Sequence, residues 1–186
     1  KTMNSNIKLK VLSSLEKIYH SDSLPSKEIQ SFSMLKNEIK SIQLAIESEK
    51  DFDCEIEVNS PLEFNLYLVE HIKSDLAMSN NSDNYYRFSE DGYYPDLLSE
   101  INQAVHINKG ITVFWVEIIA NNNAIGNNII EFSIKEDGNY VKQKSIVAEV
   151  INCNLNFKDF IYTNWFHTDC LSSYYNVEVF SDEYWR

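Results

Sequence analysis

The sequence predicts a mainly β protein, an antiparallel β-sandwich (Ig-like or jelly-roll-like), and three observations carry that expectation. Segments that alternate apolar and polar residues recur along the chain, the period expected of half-buried strands. The 11 Tyr and 10 Phe stand beside only 4 Gly and 3 Pro, a balance that leans toward strands. At 186 residues and 44% apolar content, the chain has material for one domain with a substantial core, or for one domain and a piece of another.

The elements follow in order. "NIKLKV" points Ile7, Leu9 and Val11 one way. "FDCEIEV" points Phe52, Cys54, Ile56 and Val58 one way, with Asp53, Glu55 and Glu57 on the other face. Strands are also expected at Phe64–Ile72, Ile111–Ile119, Ile129–Ile134, Ser145–Cys153 and Asp159–His167. Between Ile134 and Val141, Asp137-Gly138 supplies the positive φ values of a tight hairpin, so the flanking strands should be antiparallel. "NNNAIGNN" reads as a loop. Seven or eight strands separated by turn signals argue for a sandwich. One segment is ambiguous. Ile29, Phe32, Leu35, Ile39, Ile42 and Ile46 recur at helical spacing, yet Ile42, Leu44 and Ile46 also alternate as a strand would. From about Met78 to Asn108 the pattern weakens, and Gly92, Pro95 and an Asn/Ser/Asp cluster mark a long surface loop. Its Tyr85, Tyr86, Tyr93 and Tyr94 either stack on a sugar or a protein surface, or pin the loop to its own domain.

Charge narrows the function. The formal net charge of −12 repels phosphate backbones, and no Lys/Arg cluster reverses this, so nucleic acid and anionic membrane are not expected partners. A neutral ligand such as a sugar is not disfavoured. Cys54, Cys153 and Cys170 are odd in number and far apart, which indicates reduced thiols and a slight lean toward the cytoplasm, with secretion the alternative. No apolar run reaches the roughly 18 residues of a membrane span, and "KTMNSNIKLK" has no signal-peptide core. The sequon Asn80-Asn81-Ser82 is a product of Asn-rich composition.

Chemistry-bearing residues gather at the C-terminus in "TNWFHTDCLSSYYNVEVFSDEYWR". His167 and Cys170 would need contact, an oxyanion hole and an orienting group to work as a nucleophilic pair, and no such loop is identifiable. A metal held by His167, Asp169 and Cys170 lacks a spaced further ligand, so neither a metal nor another cofactor is expected. Asp182-Glu183 suits the first turn of a helix better than catalysis, with Ser181 as its N-cap. A helix of about five residues cannot sustain itself, so the natural protein is expected to continue past Arg186.

These residues resemble the junction at which glycoside hydrolase family 123 and its relatives enter their catalytic barrel. The pattern is W-F-H-x-D-C, a paired-Tyr segment, then F-S-x-x-x-W opening a helix. Trp165, Phe166, His167, Asp169, Cys170, Tyr174, Tyr175, Phe180, Ser181 and Trp185 fit it. "LSSLEKIY", "LKNEIKSIQLAI", "YYPDLL" and "FWVEIIANNNAIGNN" extend a looser likeness over most of the chain. The resemblance implies a strand over Glu38–Glu47, a β-sandwich over residues 1–158, and over 159–186 the first strand and helix start of a (β/α)₈ barrel. It implies an enzyme similar to β-N-acetylgalactosaminidases, with substrate-assisted hydrolysis by an Asp-Glu pair beyond Arg186. No catalytic residue then falls in this chain. Trp165, His167, Asp169, Tyr174 and Tyr175 are the expected substrate contacts in the intact protein, near the C-terminal end of the first barrel strand. The implied partners are the chain's own barrel and a glycan with N-acetylhexosamine. The alternative is a stand-alone carbohydrate-binding or structural/adhesion sandwich.

Overall fold

The computed structural model describes residues 6–20, 22–74, 92–101, 104–121, 124–154, 161–164 and 167–186. The chain forms two compact units, Lys1–Leu155 and Asn156–Arg186.

The first unit is all β among its described residues. Its strands are β1 (Lys8–Ser13), β2 (Ser31–Lys36), β3 (Ile39–Ser48), β4 (Phe52–Asn59), β5 (Glu63–Ser74), β6 (Gly92–Glu100), β7 (Ala104–Ile107), β8 (Gly110–Ile119), β9 (Gly126–Glu136) and β10 (Asn139–Asn154). They pair into two five-stranded sheets, ordered β1-β3-β8-β5-β6 and β2-β10-β9-β4-β7. Every pairing is antiparallel except β2 with β10, which is parallel, so the second sheet is mixed rather than purely antiparallel.

Side-chain alternation builds the core. Val11, Leu44 and Phe114 line up across β1, β3 and β8 and are all buried. From the second sheet, Ile56, Ile134, Phe132, Ile130 and Ile146 join them in one apolar cluster. Because the period is two, a slip of one residue in any strand would turn its apolar set to water, so burial fixes the register. The opposite face of the first sheet is also covered in part. Leu12, Ala45, Ile111 and Val113 pack there with Ile18, from the strap that follows β1. Gln43 clasps this strap, donating from Nε2 to the carbonyls of Ser13 and Glu16 at 2.7 Å each.

Several expectations need correction. The helical spacing from Ile29 to Ile46 belongs to two strands, as the strand expected over Glu38–Glu47 required. Asn37 takes a left-handed φ of 64° between β2 and β3, which end up in different sheets. The Asn37 N–H donates to the Ala120 carbonyl, and the Ala120 N–H to that of Glu38, so both groups find partners outside any helix. The long surface loop expected from Met78 to Asn108 holds β6 and β7. Pro95 is tolerated there because β6 is an edge strand, where a missing N–H breaks no ladder. Tyr85 and Tyr86 lie outside the described residues, as does the sequon. In "NNNAIGNN", the last three residues belong to β9. The hairpin at Asp137-Gly138 forms with φ values of 51° and 76°, joining antiparallel β9 and β10.

Among its described residues the second unit contains one helix, α1 (Thr168–Tyr175), which closes on Asn176 in the left-handed conformation with its N–H donating to the Ser172 carbonyl. The strand expected over Asp159–His167 is not formed at residues 161–164; its other residues, His167 apart, lie outside the described set. A strand exists by hydrogen-bonding a neighbour, and no described segment pairs with this one. The helix expected to open at Ser181 is a single turn. Ser181 Oγ does accept from the Tyr184 N–H at 3.2 Å, the bond an N-cap makes, but no helix propagates from it.

Candidate functional site

His167, Asp169, Tyr174 and Tyr175 sit on and around α1. His167 is the N-cap residue of α1, with extended backbone angles and no side-chain capping bond. Asp169 lies in the first turn, where its charge complements the exposed N–H groups. Tyr174 and Tyr175, 83% and 67% exposed, meet edge to face with centroids 4.9 Å apart. Trp165 lies outside the described residues. No residue of α1 is buried. The neighbouring aromatic group has its own order. Phe180 stacks on Trp185 at 5.7 Å, and Tyr184 meets both edge-on.

This arrangement offers side chains but, within α1, no enclosure. Electrostatic and nucleophilic catalysis need a water-excluding setting that strengthens each polar contact, and exposed groups on an eight-residue helix do not supply one. His167 and Cys170 form no hydrogen-bonded pair among the described residues, and no described group of His, Cys, Asp and Glu is placed to hold a metal ion.

The β unit has concave features that the sequence reading did not single out. A cavity of about 450 Å³ lies beside β4 and β5, lined by Glu55, Glu57, Phe64, Asn65, Tyr67 and Glu100. It opens beyond the last described pairs, Glu55 with Ala104 of β7 and Tyr67 with Glu100 of β6. The alternation of β4 already placed Glu55 and Glu57 on one outward face. What it could not show was Tyr67 and Glu100 arriving from other strands. The remaining titratable features are structural. Cys54 is buried, and desolvation, with Asp53 and Glu136 nearby, pushes its thiol up to about 12, so it is no nucleophile at neutral pH. His106 Nδ1 meets Asp53 at 2.7 Å on an exposed surface. Glu28 accepts from Lys144 at 2.8 Å, and that bond holds the Glu28 carboxyl below its ordinary value. Among the described residues, no helix is long and apolar enough to cross a membrane.

No family model matches the chain, and no curated protein matches it in sequence. Solved structures do match. A family 123 glycoside hydrolase from Clostridium perfringens, described for the details of glycolipid glycan hydrolysis, superposes on 96% of this chain with a TM-score of 0.68 and 14% identity. The chain spans 34% of that protein's length. A DUF4466 family protein from Parabacteroides merdae covers 77% of this chain and 43% of its own at 12% identity, but its TM-score of 0.36 carries no argument. At such identity the first match speaks for fold alone. Over nearly its whole length, this chain shares its fold with a part of a family 123 glycoside hydrolase.

Proposed function

We propose that the β unit is the non-catalytic N-terminal β-sandwich domain of a glycoside hydrolase-like protein, and that residues 159–186 lead into the barrel where the chemistry takes place. The observation that carries this reading is the superposition over 96% of the chain on a family 123 hydrolase of which it spans 34%. The W-F-H-x-D-C resemblance points to the same family through sequence. In this reading the glycan contains N-acetylhexosamine, its own acetamido group assists hydrolysis, and the carboxylate pair lies in the barrel. The sandwich buttresses that barrel. Trp165, His167, Asp169, Tyr174 and Tyr175 meet substrate only once further barrel elements surround them. Two facts favour this role: α1 buries no side chain, and Phe180 and Trp185 are exposed along with the tyrosines.

The test compares this chain with the product of the complete reading frame on a panel of aryl N-acetyl-β-hexosaminides. The longer protein should turn over a member of the panel and this chain none. Turnover by this chain at an enzymatic rate, or a reading frame that adds no further domain, overturns the proposal. Failure of both proteins on the whole panel counts against N-acetylhexosamine. A second reading, a carbohydrate-binding sandwich, is favoured by the cavity beside β4 and β5, where Phe64 and Tyr67 offer apolar faces among carboxylates and an amide. Calorimetric titration of this chain with N-acetylgalactosamine and its oligosaccharides separates the two. Saturable heat supports binding, and its absence leaves the buttress.

A further inference from the structure

The strap of residues 14–20 crosses the outer face of the first sheet and ends on an unusual contact. His20 stacks on His71 of β5, with ring centroids 3.7 Å apart and planes 29° from parallel. His20 Nδ1 lies 3.2 Å from the Ile111 carbonyl of β8. Because a carbonyl only accepts, that nitrogen carries the proton. His71 is different. Both of its ring nitrogens are buried, and neither makes a hydrogen bond. The Ile18 backbone nearby favours the protonated ring, but by less than burial and His20 oppose it.

We propose that the stacked His20–His71 pair is an acid-sensitive latch: protonation shifts the strap of residues 14–20 toward an open state while the sandwich beneath it stays folded. An imidazolium needs acceptors for two N–H groups, and in the closed state neither ring nitrogen of His71 is hydrogen-bonded, the Ile18 backbone offering at most one acceptor. A second charge on the stacked ring would stand against the first at van der Waals distance. Lifting the strap separates the rings and gives both to water. Burial and the neighbouring His20 accordingly hold the His71 pKa below its ordinary value.

The surroundings do not cancel this. Glu70, Tyr93 and His106 line the same cavity of about 390 Å³. Glu70 is the carboxylate among them, and it bonds neither ring. Further along, β5 carries Lys73 and β6 carries Tyr94, whose ring meets Tyr19 of the strap edge-on at 6.2 Å. Asp22 accepts from the Tyr19 N–H, and Glu16 and Lys17 line a separate cleft with Gln43 and Trp115. Asp53 meets the far histidine, His106, rather than the pair. Opening uncovers Ala45, Ile111 and Val113, so the latch would present an apolar face on acidification.

The sign is fixed by linkage. Above the ordinary histidine value of 6.5, open and closed states are both neutral and the strap is held. As pH falls through 6.5 the open state takes the proton first, and protection is lost until the depressed closed-state value is reached. For one imidazole the loss at pH 5.0 is at most about thirtyfold.

The experiment is amide hydrogen exchange on the folded chain at pH 7.5 and 5.0, corrected for intrinsic rates. Protection of the Glu16 and Tyr19 amides should fall roughly tenfold while β8 amides hold. His71→Gln should remove that dependence, and His20→Gln should lessen it without abolishing it, because burial still opposes the His71 charge; should either variant fail to fold, the other decides. In the unmodified chain the His71 ring protons should titrate below 6.5. Strap protection that is unchanged with pH, a fall shared equally by β8, pH dependence that survives in folded His71→Gln, or dependence undiminished in folded His20→Gln overturns the latch.

Discussion

Ile129 and Ile130 are adjacent, chemically identical and on opposite sides of β9, which makes them a sharp test of register. Ile130 is 0% exposed, pairs with Ile146 and belongs to the core cluster; Ile129 is 64% exposed and pairs with Val147. Truncating either to Ala removes the same carbons and the same β-branched preference, a shared cost of up to about 1 kcal/mol. At Ile130 the change also leaves a cavity between two sheets. Lost transfer at ~0.8 kcal/mol per methylene plus the cavity term predicts about 3–4 kcal/mol in all. At Ile129 the total should stay near 1 kcal/mol or below. Urea unfolding followed by circular dichroism reads the difference as a shift in midpoint at unchanged slope. In thermal scans Ile130→Ala should fall by roughly 6–16 °C. If the two variants differ by less than about 1 kcal/mol, or Ile129→Ala is the worse, β9 is out of register by one residue and the core assignment fails.

Three further outcomes rest on Gly138 and the cysteines. Gly138 has φ of +76° with open space where a Cβ would go, so Gly138→Ala should cost about 1 kcal/mol from backbone strain alone; a neutral result in the same urea assay would mean the turn is not of this type. At pH 8, Cys153 and Cys170 should react promptly with an aromatic disulfide reagent while Cys54 waits for unfolding, and equal rates for all three would refute its burial. The folded Cys54 thiol keeps its proton to about 12 while the unfolded one loses it near 9.0, so stability is full below pH 9 and declines above it. The limit is about 1.4 kcal/mol per pH unit, and Cys54→Ala should flatten that limb.

The strands read from alternation were legible because each needs only its own neighbours in sequence. Phe52, Cys54 and Ile56 declare one face of β4 whatever lies opposite, and Asp137-Gly138 declares its turn through backbone sterics alone. The stretch from Ile29 to Ile46 was legible only in part. Its spacing satisfied two periods, and the choice fell to Asn37 and to the backbone bonds that Ala120 makes on either side of it.

The weak pattern of β6 had the opposite cause. Edge strands meet water on one side and need no continuous apolar face, so "GYYPDLLSE" carried loop signals while β5 supplied its ladder. At the C-terminus, residue types were visible and enclosure was not. The sequence showed His167, Asp169 and two tyrosines close together, but only the fold shows that α1 carries Asp169 and the tyrosines, with His167 as its N-cap, without burying any of its own side chains.

By itself, the sequence determined the β class, the faces of the central strands and the β9–β10 hairpin, because those depend on chirality and on a period of two. Tertiary structure alone decided the sheet order, the parallel β2–β10 pairing, the cavity beside β4 and β5 and the stacking of His20 on His71. Each of those joins residues that no local rule relates, and the sheet order and the parallel pairing exist because strand edges must find partners elsewhere in the chain.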